Sequence, residues 1–207
     1  MTTRTIIAGE NPTVIVRAGG SARIEGADTD RVAASTESRW GLKVERRGDR
    51  IEVEAGGSCT VRVPFASEIS VYTVKDAEIL DIRNRIAIVS VGGHLTIERA
   101  NRLAHAQCGR SMNIDCEEFE GDKIKFEAGG NIRCHIANLA DTRVMIQDLG
   151  GKWELGFGSK RRTLQLKCGG DVTLIADQPP DELPEVFGQI EVHHRSEKPN
   201  LQSSRKR

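Results

Sequence analysis

Short runs of strict apolar–polar alternation recur along the chain, as in Leu42-Lys43-Val44-Glu45, Ile51-Glu52-Val53-Glu54, Val61-Arg62-Val63, Ile69-Ser70-Val71 and Ile124-Lys125-Phe126-Glu127. A period of two sends every second side chain to the same side of an extended strand. Thr, Val and Ile fill these runs, while Gly, Asp and Asn gather at their flanks, a composition that favours strand over helix. No stretch carries a convincing amphipathic-helix pattern. The pattern predicts an all-β chain whose inward positions form one long apolar interior.

A second periodicity lies over the first. The motif small-or-apolar, Gly, Gly, polar, apolar, polar, apolar occurs at Ala18-Gly19-Gly20-Ser21, Ala55-Gly56-Gly57-Ser58, Val91-Gly92-Gly93-His94, Ala128-Gly129-Gly130-Asn131, Leu149-Gly150-Gly151-Lys152 and Cys168-Gly169-Gly170-Asp171. Cys108-Gly109-Arg110-Ser111 is a degenerate copy. The first glycines stand 37, 36, 17, 20, 21 and 19 residues apart, which reads as short steps and double steps of one period. Repeats of this length signal stacked supersecondary units. The expectation is a single-stranded β-solenoid, or β-helix, with coils of about 17–21 residues, right-handed or irregular in its winding. The glycine pairs 19–20, 56–57, 92–93, 129–130, 150–151 and 169–170 are expected at its corners, supplying a positive φ. The variable spacing argues against a rigid hexapeptide helix.

Domain organisation follows from where the repeat fades. Residues 1–178 are expected to be the solenoid, with 1–64 less regular and open to a β-sandwich-like start, and 65–178 in regular coils. Residues 179–207 are expected to be a Pro-rich cap beginning at Pro179-Pro180, then a disordered basic tail, with one strand between Val186 and Val192 folding back. No cap is evident before Val14, so the N-terminal coil or a lateral face is expected to carry an interface, with Ile6, Ile7, Val14 and Val16 as its candidates.

Several segments resemble the bacterial "putative adhesin" β-strand-repeat family, a domain of unknown function. These are the opening Gly9-Glu10-Asn11-Pro12-Thr13-Val14, the run Gly-Ser-Ala-Arg-Ile-Glu-Gly at 20–26, the strand end Val61-Arg62-Val63-Pro64, and the later Gly-Gly-x-apolar-x-apolar copies. The likeness extends over roughly residues 6–177. It implies the repeat fold and assigns no catalytic residue. Bactofilins, short β-solenoids that polymerise end to end, are a looser architectural parallel.

Composition narrows the function. Thirty basic residues balance 30 acidic ones and only 4% of the chain is aromatic, so both the uniform positive field of non-specific nucleic-acid binding and its stacking platforms are lacking. No secretory-type apolar stretch opens the chain and no membrane-spanning run occurs, which predicts a cytoplasmic protein. The five cysteines fall in apolar columns of the repeat and contain no CxxC pair, so they are expected to be free core residues in a reducing compartment. His94 falls in an outward column, and alternation sends Cys134 and His135 to opposite sides, so no metal and no cofactor is expected. Outward charges alternate in sign rather than pooling, and no local nucleophile motif occurs, which predicts no enzymatic activity.

The resulting expectation is a non-enzymatic intracellular scaffold that self-associates as a homo-oligomer, or binds a protein partner, through solenoid edges or faces. The alternative is a regulatory or envelope-stress module touching an anionic partner or membrane. Lys160, Arg161 and Arg162 in a corner loop and Arg205, Lys206 and Arg207 in the tail are the candidate contacts. From Arg195 onward the tail carries five basic residues and one acid, enough for weak membrane contact only. A polysaccharide-acting β-helix enzyme is the remote alternative.

Overall fold

The computed structural model describes residues 1–39, 41–119, 121, 123–139, 142–148, 162–178 and 191–194. Among them the protein is all-β, contains no helix, and joins 18 strands in one sheet. The first seven are β1 (Thr2–Ile7), β2 (Thr13–Ala18), β3 (Ala22–Ala27), β4 (Arg31–Thr36), β5 (Leu42–Arg47), β6 (Arg50–Ala55) and β7 (Cys59–Pro64). Then come β8 (Glu68–Thr73), β9 (Ala77–Leu80), β10 (Arg85–Val91), β11 (Leu95–Cys108), β12 (Met112–Phe119) and β13 (Lys123–Ala128). The last five are β14 (Ile132–Asn138), β15 (Thr142–Asp148), β16 (Arg162–Cys168), β17 (Val172–Gln178) and β18 (Glu191–His194).

Successive strands alternate between two ladders joined at the glycine corners, so each corner and its two flanking strands form one rung. Rungs stack in parallel with like positions in register. On one side Val53, Val16, Val71, Val89, Ala106, Phe126 and Leu166 form a continuous row across β6, β2, β8, β10, β11, β13 and β16. On the other, Val61, Ile24, Ile79, Ile97, Ile114, Cys134 and Leu174 do the same across β7, β3, β9, β11, β12, β14 and β17. Every residue of both rows is buried. Each fully buried Ile or Val contributes about 1.5–3 kcal/mol relative to exposure, and in-register stacking repeats that gain rung after rung.

The rungs do not stack in chain order. The β2–β3 rung lies between β6–β7 and β8–β9, so Ala18 is paired with Ala55 on one side and with Thr73 on the other. The 37-residue step from Gly19 to Gly56 therefore joins adjacent rungs and is not a doubled period. Gly56 and Gly92 are separated by two rungs, one of them turning at Val74-Lys75 without a glycine. The far end repeats the inversion, because β15 pairs outside β16 although it precedes it in the chain. β18 adds to β17 in parallel, and the part of the expected strand from Val186 to Ile190 lies outside the described residues.

The glycine corners work differently from the sequence expectation. Among the described glycines positive φ occurs at Gly9, Gly41, Gly48 and Gly121, and none of these is a corner glycine. What the corners need is the missing Cβ. A Cβ on Gly92 would stand 2.0 Å from the Val74 carbonyl oxygen, and one on Gly109 would stand 2.3 Å from that of Gly92. At three corners the polar residue that follows the turn bridges rungs: Ser58 Oγ accepts from the Ser21 amide at 3.1 Å, Asp76 Oδ1, after Val74-Lys75, from that of His94 at 2.8 Å, and Asn131 Oδ1 from that of Asp171 at 3.0 Å. Positive φ is instead used on the opposite side, by Asp81 and Arg99. Gly150 and Gly151 lie outside the described residues, as do Pro179-Pro180 and the tail from Arg195.

The N-terminal end is covered, against the expectation of an open first coil. β5 folds back on β6 as an antiparallel hairpin, β4 runs antiparallel to β7, and β1 runs antiparallel to β4. Val14 and Val16 thus sit in the middle of the core with no exposed surface, because β2 has a ladder on both sides. They cannot belong to an interface.

Candidate association edge and outer grooves

β1 is paired along one edge only among the described residues. The Ala8 amide donates to the Asp30 carbonyl at 2.8 Å, continuing the β1–β4 ladder, so in this antiparallel register the backbone groups of even-numbered residues face β4. Those of Thr3, Thr5 and Ile7 consequently point away from β4, on the side where β5 lies close by. Arg46 on β5 confirms the parity, its guanidinium donating to the Ile7 carbonyl at 3.2 Å. Side chains follow the same alternation: Ile6 packs partly buried against the end of the core, while Ile7 is 59% exposed.

β5 is the other terminal edge, and it is defended differently. Four of its six residues are charged, and three of them pair among themselves and with β6: Lys43 with Glu45 at 2.9 Å, Arg47 with Glu45 at 3.3 Å, Arg47 with Glu52 of β6 at 4.0 Å. The hydrogen bond from Lys43 holds the Glu45 carboxyl below its ordinary range. Charge along an edge strand opposes pairing with another chain. β1 has one charge, Arg4, among five β-branched residues.

The outer faces carry ladders of alternating charge running along the stack. Arg23 pairs with Glu78, Arg85 with Glu68 at 3.1 Å, and Glu127 with Lys125 at 2.6 Å and Lys167 at 3.8 Å. A longer ladder begins at Asp81, which accepts both ends of the Arg99 guanidinium at 2.6 and 2.7 Å. That hydrogen bond, ahead of burial, holds the Asp81 carboxyl below the usual carboxylate range. Asp115 follows and bonds His135 Nδ1 at 2.8 Å. Arg83, Arg99, Asp115, Glu117 and His135 line an open groove of about 520 Å³. A second groove, about 810 Å³, crosses the rungs at Ser58, Ser21, Asp76 and His94 beneath the overhanging Thr36-Glu37-Ser38.

The cysteines behave as core. Cys59, Cys108, Cys116, Cys134 and Cys168 are all buried and unlinked. Burial pushes the thiols of Cys59 and Cys108 up to about 11 and that of Cys134 up to about 12. His135 lies on the opposite side of its strand from Cys134, and no metal-binding group of three ligands occurs among the described residues. Of the basic candidates only Arg162 is described, exposed at the start of β16, and Lys160, Arg161, Arg205, Lys206 and Arg207 lie outside the described residues. Sequence reasoning missed Arg46, Asp81 and Arg99. A signal existed for two of them, since Asp81 and Arg99 stand one period apart, as do Asn84 and Asn101, whose amides bond the Ala66 and Arg83 carbonyls at 2.7 Å.

No protein-family model matches the chain, and no curated protein does. Solved bacterial structures are similar to it. One is described as a putative cell adhesion protein from Clostridium sporogenes, with TM-score 0.41, 12% identity, and coverage of 84% of this chain and 97% of that one. Another is a putative adhesin from Bacteroides fragilis, at 0.36 and 11%, covering 84% and 96%. A third is a putative adhesin from Parabacteroides merdae, at 0.36 and 8%, covering 92% of each chain. No helix among the described residues is long and apolar enough to cross a membrane.

Proposed function

We propose that the chain is a β-solenoid that serves as a non-enzymatic structural module and assembles with other copies of itself through its N-terminal end. The observation that carries this reading is the contrast between the two strands that finish that end: β5 is armed with paired charges, while β1 leaves the outward amides and carbonyls of Thr3 and Thr5 outside any ladder among the described residues. An edge of that kind is a template for another strand. The outer-face charges favour the same reading over chemistry, since Asp81, Arg99, Asp115 and His135 are engaged with one another along the stack. Five buried, unlinked thiols support an intracellular setting.

Light scattering of the full-length protein across a concentration series tests the reading. The expected result is a mass that rises above the 22.7 kDa of one chain as concentration increases. A constant single-chain mass up to several hundred micromolar overturns it.

A further inference from the structure

Two copies of the chain, we propose, associate by exchanging β1, so that the β1 of each lies in the β4 ladder of the other, in the place its own β1 holds in the monomer. The inference rests on the self-association just described and adds which strand changes hands and what drives the exchange. β1 is lightly held. Five of its six residues are exposed, and only Ile6 packs partly buried against the core. Its backbone bonds are the β4 ladder, continued by the Ala8 amide on the Asp30 carbonyl, and the Arg46 guanidinium on the Ile7 carbonyl. Each of these re-forms when the strand comes from a second copy, the Arg46 contact included, so exchange gives up no ladder.

The connection to β2 supplies the preference for exchange. Both of its ends are fixed, since the Ala8 amide closes the β1–β4 ladder and the Pro12 carbonyl accepts the Glu68 amide at 3.0 Å. Between them Gly9, Glu10 and Asn11 carry the chain from the β4 ladder to β2, which lies between β6 and β8 on the other side of the stack. That turn uses two left-handed residues, Gly9 at φ 80° and Asn11 at φ 46°. Glycine takes such a conformation freely. Asn11 precedes Pro12, and a proline ring pushes the residue before it toward extended backbone. A non-glycine residue held in the left-handed region stores strain that lasts only while its surroundings impose it. Straightening the hinge, as exchange requires, returns Asn11 to the conformation that Pro12 favours and releases that strain in both copies. Short strained hinges favour exchange over closure within one chain. Each copy gives one strand and receives one, so the assembly closes at two copies.

A disulfide placed across the β1–β4 ladder reports whose strand is paired. Thr5 stands opposite Ala33 at a non-hydrogen-bonded pair, where Cα atoms lie about 4.5 Å apart and within disulfide range. The double variant Thr5→Cys/Ala33→Cys is separated into dimer and monomer by gel filtration, oxidised mildly and run on a denaturing gel. Exchange predicts that the dimer fraction links between chains and runs as a covalent dimer, while the monomer fraction links within one chain. Ala33→Cys alone should link neither. Lengthening the hinge supplies the second measurement. Inserting Gly-Ser after Gly9 lets the turn close without strain, and should raise the dimer dissociation constant at least about tenfold in sedimentation equilibrium while the thermal midpoint of the monomer holds. Disulfides confined to single chains in the dimer fraction overturn the exchange and leave self-association through another contact standing. A dissociation constant unmoved by the insertion overturns the strained hinge as its drive. A wild-type protein that stays monomeric at every concentration overturns both the exchange and the self-association beneath it.

Discussion

From β8 to β17 the rungs meet in parallel, with aliphatic side chains directly above one another, whereas β1, β4 and β5 meet their neighbours antiparallel with one face half in solvent. The first arrangement spends nearly every inward side chain on the next rung. Phe126, Ile79 and Leu164 have no exposed surface, while Val44 on β5 remains partly exposed. Parallel stacking is a repeating template, so it has no intrinsic end. An antiparallel strand needs only a short turn such as Gly48-Asp49 to return, which lets a few residues cover the last rung. The difference teaches that regularity supplies stability and that the end of the regular part decides what the molecule can join.

Substitutions in the two regions should separate by size. Phe126→Ala removes a fully buried ring from the parallel core and is expected to cost about 3–5 kcal/mol in urea unfolding, against about 1 kcal/mol for Val44→Ala at the end. Equal losses would mean that the terminal strands are as tightly packed as the rungs. Gly92→Ala comes next, at about 1–3 kcal/mol, because its methyl must push against the Val74 carbonyl. Gly48→Asn, in an open hairpin turn with a φ of 64°, should cost clearly less, since asparagine tolerates that conformation. If Gly48→Asn proves the more costly of the two, close approach is not what the corners require.

Asp81 sharpens the comparison through pH. Its folded carboxyl is held low by the Arg99 hydrogen bond, so the stabilisation is fully present above the unfolded carboxylate pKa of about 3.9 and disappears as pH falls through the lower folded value. Asp81→Asn should therefore be less stable than wild type at neutral pH, with the gap closing below about pH 4. A gap that does not change with pH would remove the ion pair from the account of the stack. The smallest effect is expected at the thiols. With Cys59 and Cys108 pushed up to about 11, native protein should react with a thiol reagent at pH 8 only as fast as it opens, and all five thiols should appear on denaturation. Rapid native labelling of one of them would locate a gap in the core.

Much of this was legible in the residues. The alternation around Val53, Val61 and Phe126 placed the strands and their inward side chains, the columns assigned Cys59, Cys108, Cys116, Cys134 and Cys168 to the interior, and strand parity separated Cys134 from His135. The edge was legible only in part. Ile6 and Ile7 do lie on the terminal strand, whereas Val14 and Val16 share their β-branched character yet are enclosed by ladders on both sides.

What the sequence determined by itself is the period, the strand class and the apolar interior, because these depend on local alternation and on residue volume. The tertiary structure decided the order of the rungs. Backbone ladders and rows of Val and Ile are nearly interchangeable, so β2–β3 can be inserted between β6–β7 and β8–β9 without any local mark in the chain. It also decided why the corners hold glycine, since the atom a Cβ would strike belongs to a rung distant in sequence. The single ladder of β1 is of the same kind: a strand ends a sheet only by virtue of what does not pair with it, and no residue within Thr2–Ile7 encodes that.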